Sequence, residues 1–140
     1  MSNIIYKLNA DVSADSLHAL YTAIGWNDDG LRTLAVCERI LHHSWCYVSA
    51  HDGDRLIGFA RVLADGFVGE ILDVIVLPAY RRRGVGSQLM RKLLDAATEL
   101  TLLHLVDGSA CPKFYGRFGF EAAEANREII MYRRQVPQRP

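Results

Sequence analysis

The sequence predicts one α/β domain of the α+β kind: a mixed, mainly antiparallel sheet flanked by helices. Three observations predict it. The chain has 140 residues, a length suited to one core. Half of the residues are hydrophobic and 23% are charged, an ordinary globular balance that argues against disorder or a disulfide scaffold. Strand-like alternation and helix-like spacing also take turns along the chain, with two hairpin signals followed by a strand, a glycine loop and a helix.

Ile4 to Leu8 alternates and reads as a first strand, ended by the polar Asn9 to Asp11. Ser13 is an N-cap for a helix whose Leu17, Leu20, Tyr21 and Ile24 recur at helical spacing. A turn cluster, Asn27-Asp28-Asp29-Gly30, precedes a second helix from Leu31 to about His42. Trp45 to Ala50 and Leu56 to Leu63 form a hairpin across His51-Asp52-Gly53-Asp54. Asp65-Gly66 turns the chain again, so Phe67 to Leu77 is a third antiparallel strand. Apolar residues on both of its alternating faces place that strand in the middle of the sheet, covered on both sides. Pro78 stops it, and Leu89, Met90, Leu93, Leu94 and Ala97 mark an amphipathic helix after the loop. Leu102 to Val106 is a further strand, and Pro112 opens a short helix through Phe118. Phe120 to Ala123 and Ile129 to Arg133 suggest terminal strands, so the domain is expected over residues 1-134, with 135-140 as a frayed tail.

Sixteen basic and sixteen acidic side chains cancel, so no general field attracts nucleic acid or an anionic membrane, and neither is expected as a partner. No apolar run approaches the ~20 residues of a membrane helix, and the N-terminus lacks an export pattern, so a cytoplasmic location is the expectation. Cys37, Cys46 and Cys111 are odd in number and lack CxxC spacing, which argues for reduced cysteines and against a thiolate metal site. His42 and His43 suggest a metal only superficially, because no third ligand accompanies them; no metal is expected.

The segment from Arg81 to Ser87 is the chemical signal of the sequence. Arg81, Arg82 and Arg83 supply fixed charge, Gly84 and Gly86 allow close backbone approach, and the following helix start aims N-H groups at one point. An anion, and a diphosphate in particular, suits this arrangement. The plainer reading is a solvated basic turn with capping glycines. Neither a dinucleotide fingerprint nor a P-loop is present, because their glycine spacing and GK[ST] ending are missing.

The run from Asp73 to Gly86, followed by Leu89-Met90, resembles the acetyl-coenzyme A signature of the GNAT N-acetyltransferase superfamily. Downstream, Phe114-Tyr115-Gly116-Arg117-Phe118-Gly119-Phe120 resembles that family's FYxRxGF hallmark, in the expected order and about thirty residues on. The element order matches as well, so the resemblance covers nearly the whole chain and is sharpest from Gly58 to Phe120.

The resemblance implies splayed central strands that form a cleft for acetyl-CoA, the co-substrate. Val74, Ile75 and Val76 would bind the pantetheine arm through their backbone. Arg83, Gly84, Val85, Gly86 and Ser87 would hold the pyrophosphate, with Arg81 opening the motif and Arg82 adding charge. Acetyl transfer to a primary amine would be direct, through a ternary complex. An attacking amine must lose a proton. Glu70, eleven residues before Arg81, holds the position where similar members carry a catalytic glutamate or histidine. Its plainer role is to end a hairpin or pair with an arginine. Asp73 is the other candidate base; strict alternation puts it opposite Glu70 unless a bulge intervenes, and an acid in an apolar strand needs a partner. Tyr115 matches the tyrosine that protonates the departing thiolate in many members, against a plainer reading as a packing aromatic. Cys111, before the short helix, has no histidine placed to activate it as a nucleophile.

The resemblance also implies an acceptor site built largely from the first two helices, their connection and the later loops, so Trp26, Asp28, Asp29 and Trp45, with Asn27, are candidates for a cationic or aryl amine. Small-molecule amines and protein or peptide amines both remain open as acceptors, and a homodimer is common among similar proteins. A noncatalytic acyl-CoA sensor or interaction module is the competing reading; Tyr115 and Glu70 favour the enzyme.

Overall fold

The computed structural model describes residues 3–123, 130, 131, 133 and 135. The chain divides into two compact units, residues 1–106 and 107–140.

The first unit holds strand β1 (Ile4–Leu8), helices α1 (Ala14–Ala23) and α2 (Leu34–His43), strands β2 (Cys46–Asp52), β3 (Arg55–Ala64) and β4 (Val68–Val76), helix α3 (Val85–Ala96) and strand β5 (Leu102–Leu105). The sheet order is β1-β2-β3-β4-β5. The first three pairings are antiparallel, and β4 and β5 run parallel, with α3 in the connection between them. A mixed, mainly antiparallel sheet with helices is therefore the observed fold.

Local chemistry sets the element boundaries. Ser13 caps α1 in a capping box, its hydroxyl accepting from the Ser16 N-H while the Ser16 hydroxyl accepts from the Ser13 N-H. The second helix begins at Leu34, not Leu31. Asn27 accepts from the Arg32 N-H and donates to the Arg32 carbonyl, Asp29 accepts from the Leu31 N-H, and these bonds hold residues 27–32 as a closed turn before the Thr33 cap. Asp65 accepts from the N-H groups of Phe67 and Val68, closing the β3-β4 turn with Gly66 at φ +102°.

The strand in the middle is β3, which corrects the expectation for β4. Leu56 to Ala60 are all buried, whereas in β4 only Gly69, Ile71 and Ile75 are buried and Leu72, Val74 and Val76 are half-buried. A bulge explains the misleading pattern. Ile71 pairs with Val62 and Ile75 with Phe59, although Arg61 pairs with Leu72, so β4 carries one extra residue opposite β3. Ile71 and Ile75 share a parity in sequence yet face opposite sides of the sheet. The bulge lies at Asp73, whose φ is +56°.

Helix α3 lies across β2, β3 and β4. At Gly58 a Cβ would stand 3.1 Å from the Ile75 carbonyl oxygen and 3.2 Å from Leu89 Cδ1, so this glycine lets the helix seat closely on the sheet. Its Val85, Leu89, Met90 and Leu93 join Val48, Ala60 and Val62 in the core. Helix α1 packs on the opposite face, with α2 against it.

In the second unit, helix α4 (Pro112–Gly116) is shorter than expected. Residues 120–122 carry no strand, which corrects that expectation; of the other proposed strand, Ile129 and Tyr132 lie outside the described residues. Most of the expected tail, 135–140, lies outside them too.

Candidate active site

The β4 backbone and the loop after it form one continuous feature. Strand β4 pairs with β5 only over Val68–Ile71, so residues 72–76 have no partner on that side among the described residues. Asp73 and Val74 also drop out of the β3 register at the bulge. The β4 edge that faces away from β3 is therefore open along residues 74–76, although Ile75 and Val76 stay in register with Phe59 and Gly58 on the other side, and an extended chain could lie along that edge as an added strand.

At the end of this stretch, a 3-10 turn (Pro78–Tyr80) leads into Arg81, Arg82, Arg83 and Gly84, all exposed. Arg81 turns back, its Nε donating to the Val76 carbonyl at 2.9 Å, so it closes one backbone group and braces the loop. Arg82 and Gly84 both have left-handed backbones, at φ +63° and +78°. Gly84 is the N-cap of α3 and no side chain caps the helix; the first helical bond runs from the Gln88 N-H to the Gly84 carbonyl. The N-H groups of Val85, Gly86 and Ser87 thus belong to a first turn without an internal acceptor, directly after three arginines in the chain.

Glu70 and Asp73 lie on one face. Glu70 pairs with Leu63, and Leu72 pairs with Arg61, placing both on the odd-numbered face of β3. Beyond Leu72 the bulge turns Asp73 to that face too, where its Oδ2 accepts from Arg61 Nε and from Tyr21 Oη, each at 2.7 Å. Burial first, and then the Asp73 charge, push the Tyr21 phenol far above its ordinary pKa, so it stays a donor. Asp73 therefore has the partner its setting demands, and this cluster ties α1 to the bulge. Glu70 is half-buried and sits beside His104 of β5 in register.

The proposed acceptor residues divide between two places. Trp26 stacks near Tyr21 with ring centroids 6.5 Å apart, and the Arg32 guanidinium lies 5.0 Å from the Tyr21 ring and 5.8 Å from the Trp26 ring. An internal cation thus already uses the aromatic faces expected to receive an amine. Asp28 is exposed, and Asp29 is engaged by the Leu31 N-H. Trp45 sits at the β3-β4 turn, where a Cβ on Gly66 would lie 3.7 Å from its ring.

Within the second unit, Tyr115 lies among Phe114, at 5.0 Å between centroids, and Phe120, at 6.4 Å. Burial first, and then the Asp107 carboxylate and the neighbouring Cys111, raise its phenol above the ordinary value and keep it protonated. Gly119 follows the helix with a left-handed backbone, at φ +87°. His42 and His43 touch edge to face at 4.9 Å, and among the described residues no three His, Cys, Asp or Glu side chains cluster as a metal site. Nor is any described helix long and apolar enough to cross a membrane.

Sequence reasoning anticipated that Asp73 needs a partner but missed Arg61 and Tyr21. Arg61 is twelve residues earlier on the neighbouring strand, and counting back across the Asp65-Gly66 turn places it within one residue of Asp73. That single-residue offset was the available signal.

A half-open strand running into an uncapped, arginine-flanked helix start defines an α/β domain equipped to take an extended, anionic ligand. The model of the Acetyltransferase (GNAT) family matches residues 11–120. The chain is 32% identical over 136 residues to histone acetyltransferase TAP1 of Glycine max, covering 87% of this chain and 58% of that one. With the probable acetyltransferase TAP2 of the same plant it also shares 32%, over 53% of that protein, so the chain spans little more than half of these relatives. A GNAT-family acetyltransferase structure from Streptococcus pneumoniae TIGR4 superposes with a TM-score of 0.79 at 30% identity, over 96% of this chain and all of that one. A probable acetyltransferase from meticillin-resistant Staphylococcus aureus gives 0.78 at 27%, over 96% and 99%. The chain belongs to the GNAT acetyltransferase family, a family of acyltransferase enzymes.

Proposed function

We propose that this chain carries an acetyl group from acetyl-CoA directly to a primary amine, through a ternary complex, in one catalytic domain over residues 1–134. The observation that carries the reading is the half-unpaired strand β4 leading into the uncapped start of α3. The residues fit the carrier. The open edge along Val74, Ile75 and Val76, apart from the Val76 carbonyl that Arg81 holds, offers backbone groups to an extended amide-bearing arm, and Arg83 to Ser87 offer N-H groups and charge to two linked phosphates, with Arg82 adding charge. Acetyl-CoA supplies an activated acyl group and a thiolate leaving group.

The chain's own residues have three tasks. Backbone N-H groups freed near the bulge polarise the acyl oxygen and stabilise the charge that develops on it. Glu70 takes the proton from the attacking amine, directly or through water, while Asp73 is held by Arg61 and Tyr21 and serves chiefly to fix the bulge. Tyr115 stays protonated through the neutral range and gives its proton to the departing sulfur. A relative named a histone acetyltransferase supports including a protein amine, a lysine or an N-terminus, among the acceptors, beside small amines, amino acids and aminoglycosides.

The test is thiol release from acetyl-CoA across that amine panel, with Tyr115→Phe in parallel. Acceptor-dependent release that falls in the variant supports transfer. Tight coenzyme A binding without acceptor-dependent release would instead favour an acyl-CoA sensor.

A further inference from the structure

We infer that Asp52 and Tyr80 are a positioning pair that holds the Arg81–Ser87 loop ready for its anion. The inference rests on the coenzyme A reading of that loop and gives a role to Tyr80, which lies within the quoted run, and to Asp52, which lies outside it.

The loop needs anchors. Arg82 is a non-glycine residue in the left-handed region, at φ +63°, a conformation that costs about 1–2 kcal/mol and persists only where the surroundings impose it. The far end of the loop is secured, because Val85 is 2% exposed in the core. Before the loop, Leu77 is fixed by its N-H bond to the Ile57 carbonyl, but Pro78 and Ala79 are exposed. Arg81 braces this end locally through the Val76 carbonyl, and Tyr80 supplies the anchor to a distant element. Its hydroxyl donates to Asp52 Oδ2, a contact across 28 residues to the last position of β2.

Asp52 is itself placed by the hairpin. It pairs with Arg55 across the Gly53-Asp54 turn, where Gly53 takes φ +58°. The carboxylate holds the Tyr80 phenol above its ordinary pKa, with Arg55 opposing, so the hydroxyl donates throughout the neutral range. The tyrosine ring has a second use: the Arg83 guanidinium lies over it, 5.5 Å from the centroid. One side chain thus ties the loop to a rigid turn and shelves one of the loop's own cations. A loop already held in shape loses less freedom when it binds.

The experiment compares wild type, Tyr80→Phe, Asp52→Asn and the double variant. Coenzyme A affinity is measured by calorimetry, kinetics by thiol release, and loop opening by hydrogen exchange at residues 82–87. Tyr80→Phe keeps the ring and removes only the hydroxyl. The pair predicts that coenzyme A Kd and acetyl-CoA KM rise about three- to tenfold in either variant, with kcat unchanged and loop exchange faster. The double variant should be no worse than the singles. Unchanged Kd and loop exchange in both variants would overturn the inference, as would equal losses in kcat and global stability, which mark a merely structural bond. If wild type binds no coenzyme A, the acetyl-transfer reading fails separately; faster loop exchange in the variants would then still support the pair as a loop anchor.

Discussion

Strands β3 and β4 lie side by side and are similarly rich in apolar residues, yet they are used differently. Strand β3 pairs along both edges and is buried from Leu56 to Ala60. Strand β4 pairs on both edges only as far as Ile71, bulges at Asp73, and leaves Leu72, Val74 and Val76 half-buried. Burial and complete pairing give stability; unspent backbone groups and half-covered apolar surface give a place to bind. On the proposed function, the first strand is the scaffold and the second carries the site.

The sharpest challenge to this division is a pair of truncations. Phe59→Ala, at a fully buried position, should lower unfolding free energy by about 3–5 kcal/mol in urea titrations. Leu72→Ala should cost about 1 kcal/mol, and equal losses would erase the contrast. Next comes the bulge: Asp73→Asn leaves the largely buried Arg61 guanidinium without its counter-charge and should cost about 3 kcal/mol, with part recovered when Arg61→Gln is added. Simple additivity in that cycle would show that the ion pair does not hold the bulge.

Chemistry sharpens the comparison further. Tyr115→Phe should lower kcat about ten- to a hundredfold with little change in acetyl-CoA KM. Because the Tyr115 phenol titrates above 10, its acid role predicts no loss of kcat from this group between pH 7 and 9.5 in wild type. The smallest effects are in the pH dependence of stability. Tyr21 is raised when folded, so the unfolded chain loses its proton first, and stability should decline as pH rises above about 10; Tyr21→Phe should flatten that limb. His51, buried against Ser49 at 2.8 Å, is lowered by burial first and by Lys7 second. The unfolded chain then binds the proton first, and stability should fall as pH drops below about 6.5.

Local chemistry was legible in the sequence because it acts over few residues. Ser13 marks its helix, Asp65-Gly66 marks its turn, and the arginines and glycines from 81 to 86 mark the loop. What escaped depends on register. Apolar residues at Ile71 and Ile75 read as one covered face of a central strand, but one inserted residue sends them to opposite faces. The same insertion brings Asp73 to Glu70's face and to Arg61. Leu31 reads as helix until the side chains of Asn27 and Asp29 are seen closing a turn around it. Tyr80 and Asp52 are joined only by folding, and no spacing announces them.

The central claim is that the backbone of residues 83–87 grips two linked phosphates, and calorimetry with coenzyme A on wild type and Gly84→Val tests it most directly. Gly84 sits at φ +78°, which a β-branched residue adopts only at a cost of about 1–2 kcal/mol, so the variant should bind about five- to thirtyfold more weakly. The account predicts one coenzyme A per chain in wild type and that loss in the variant. No binding heat in wild type, or equal affinity in both proteins, would contradict it.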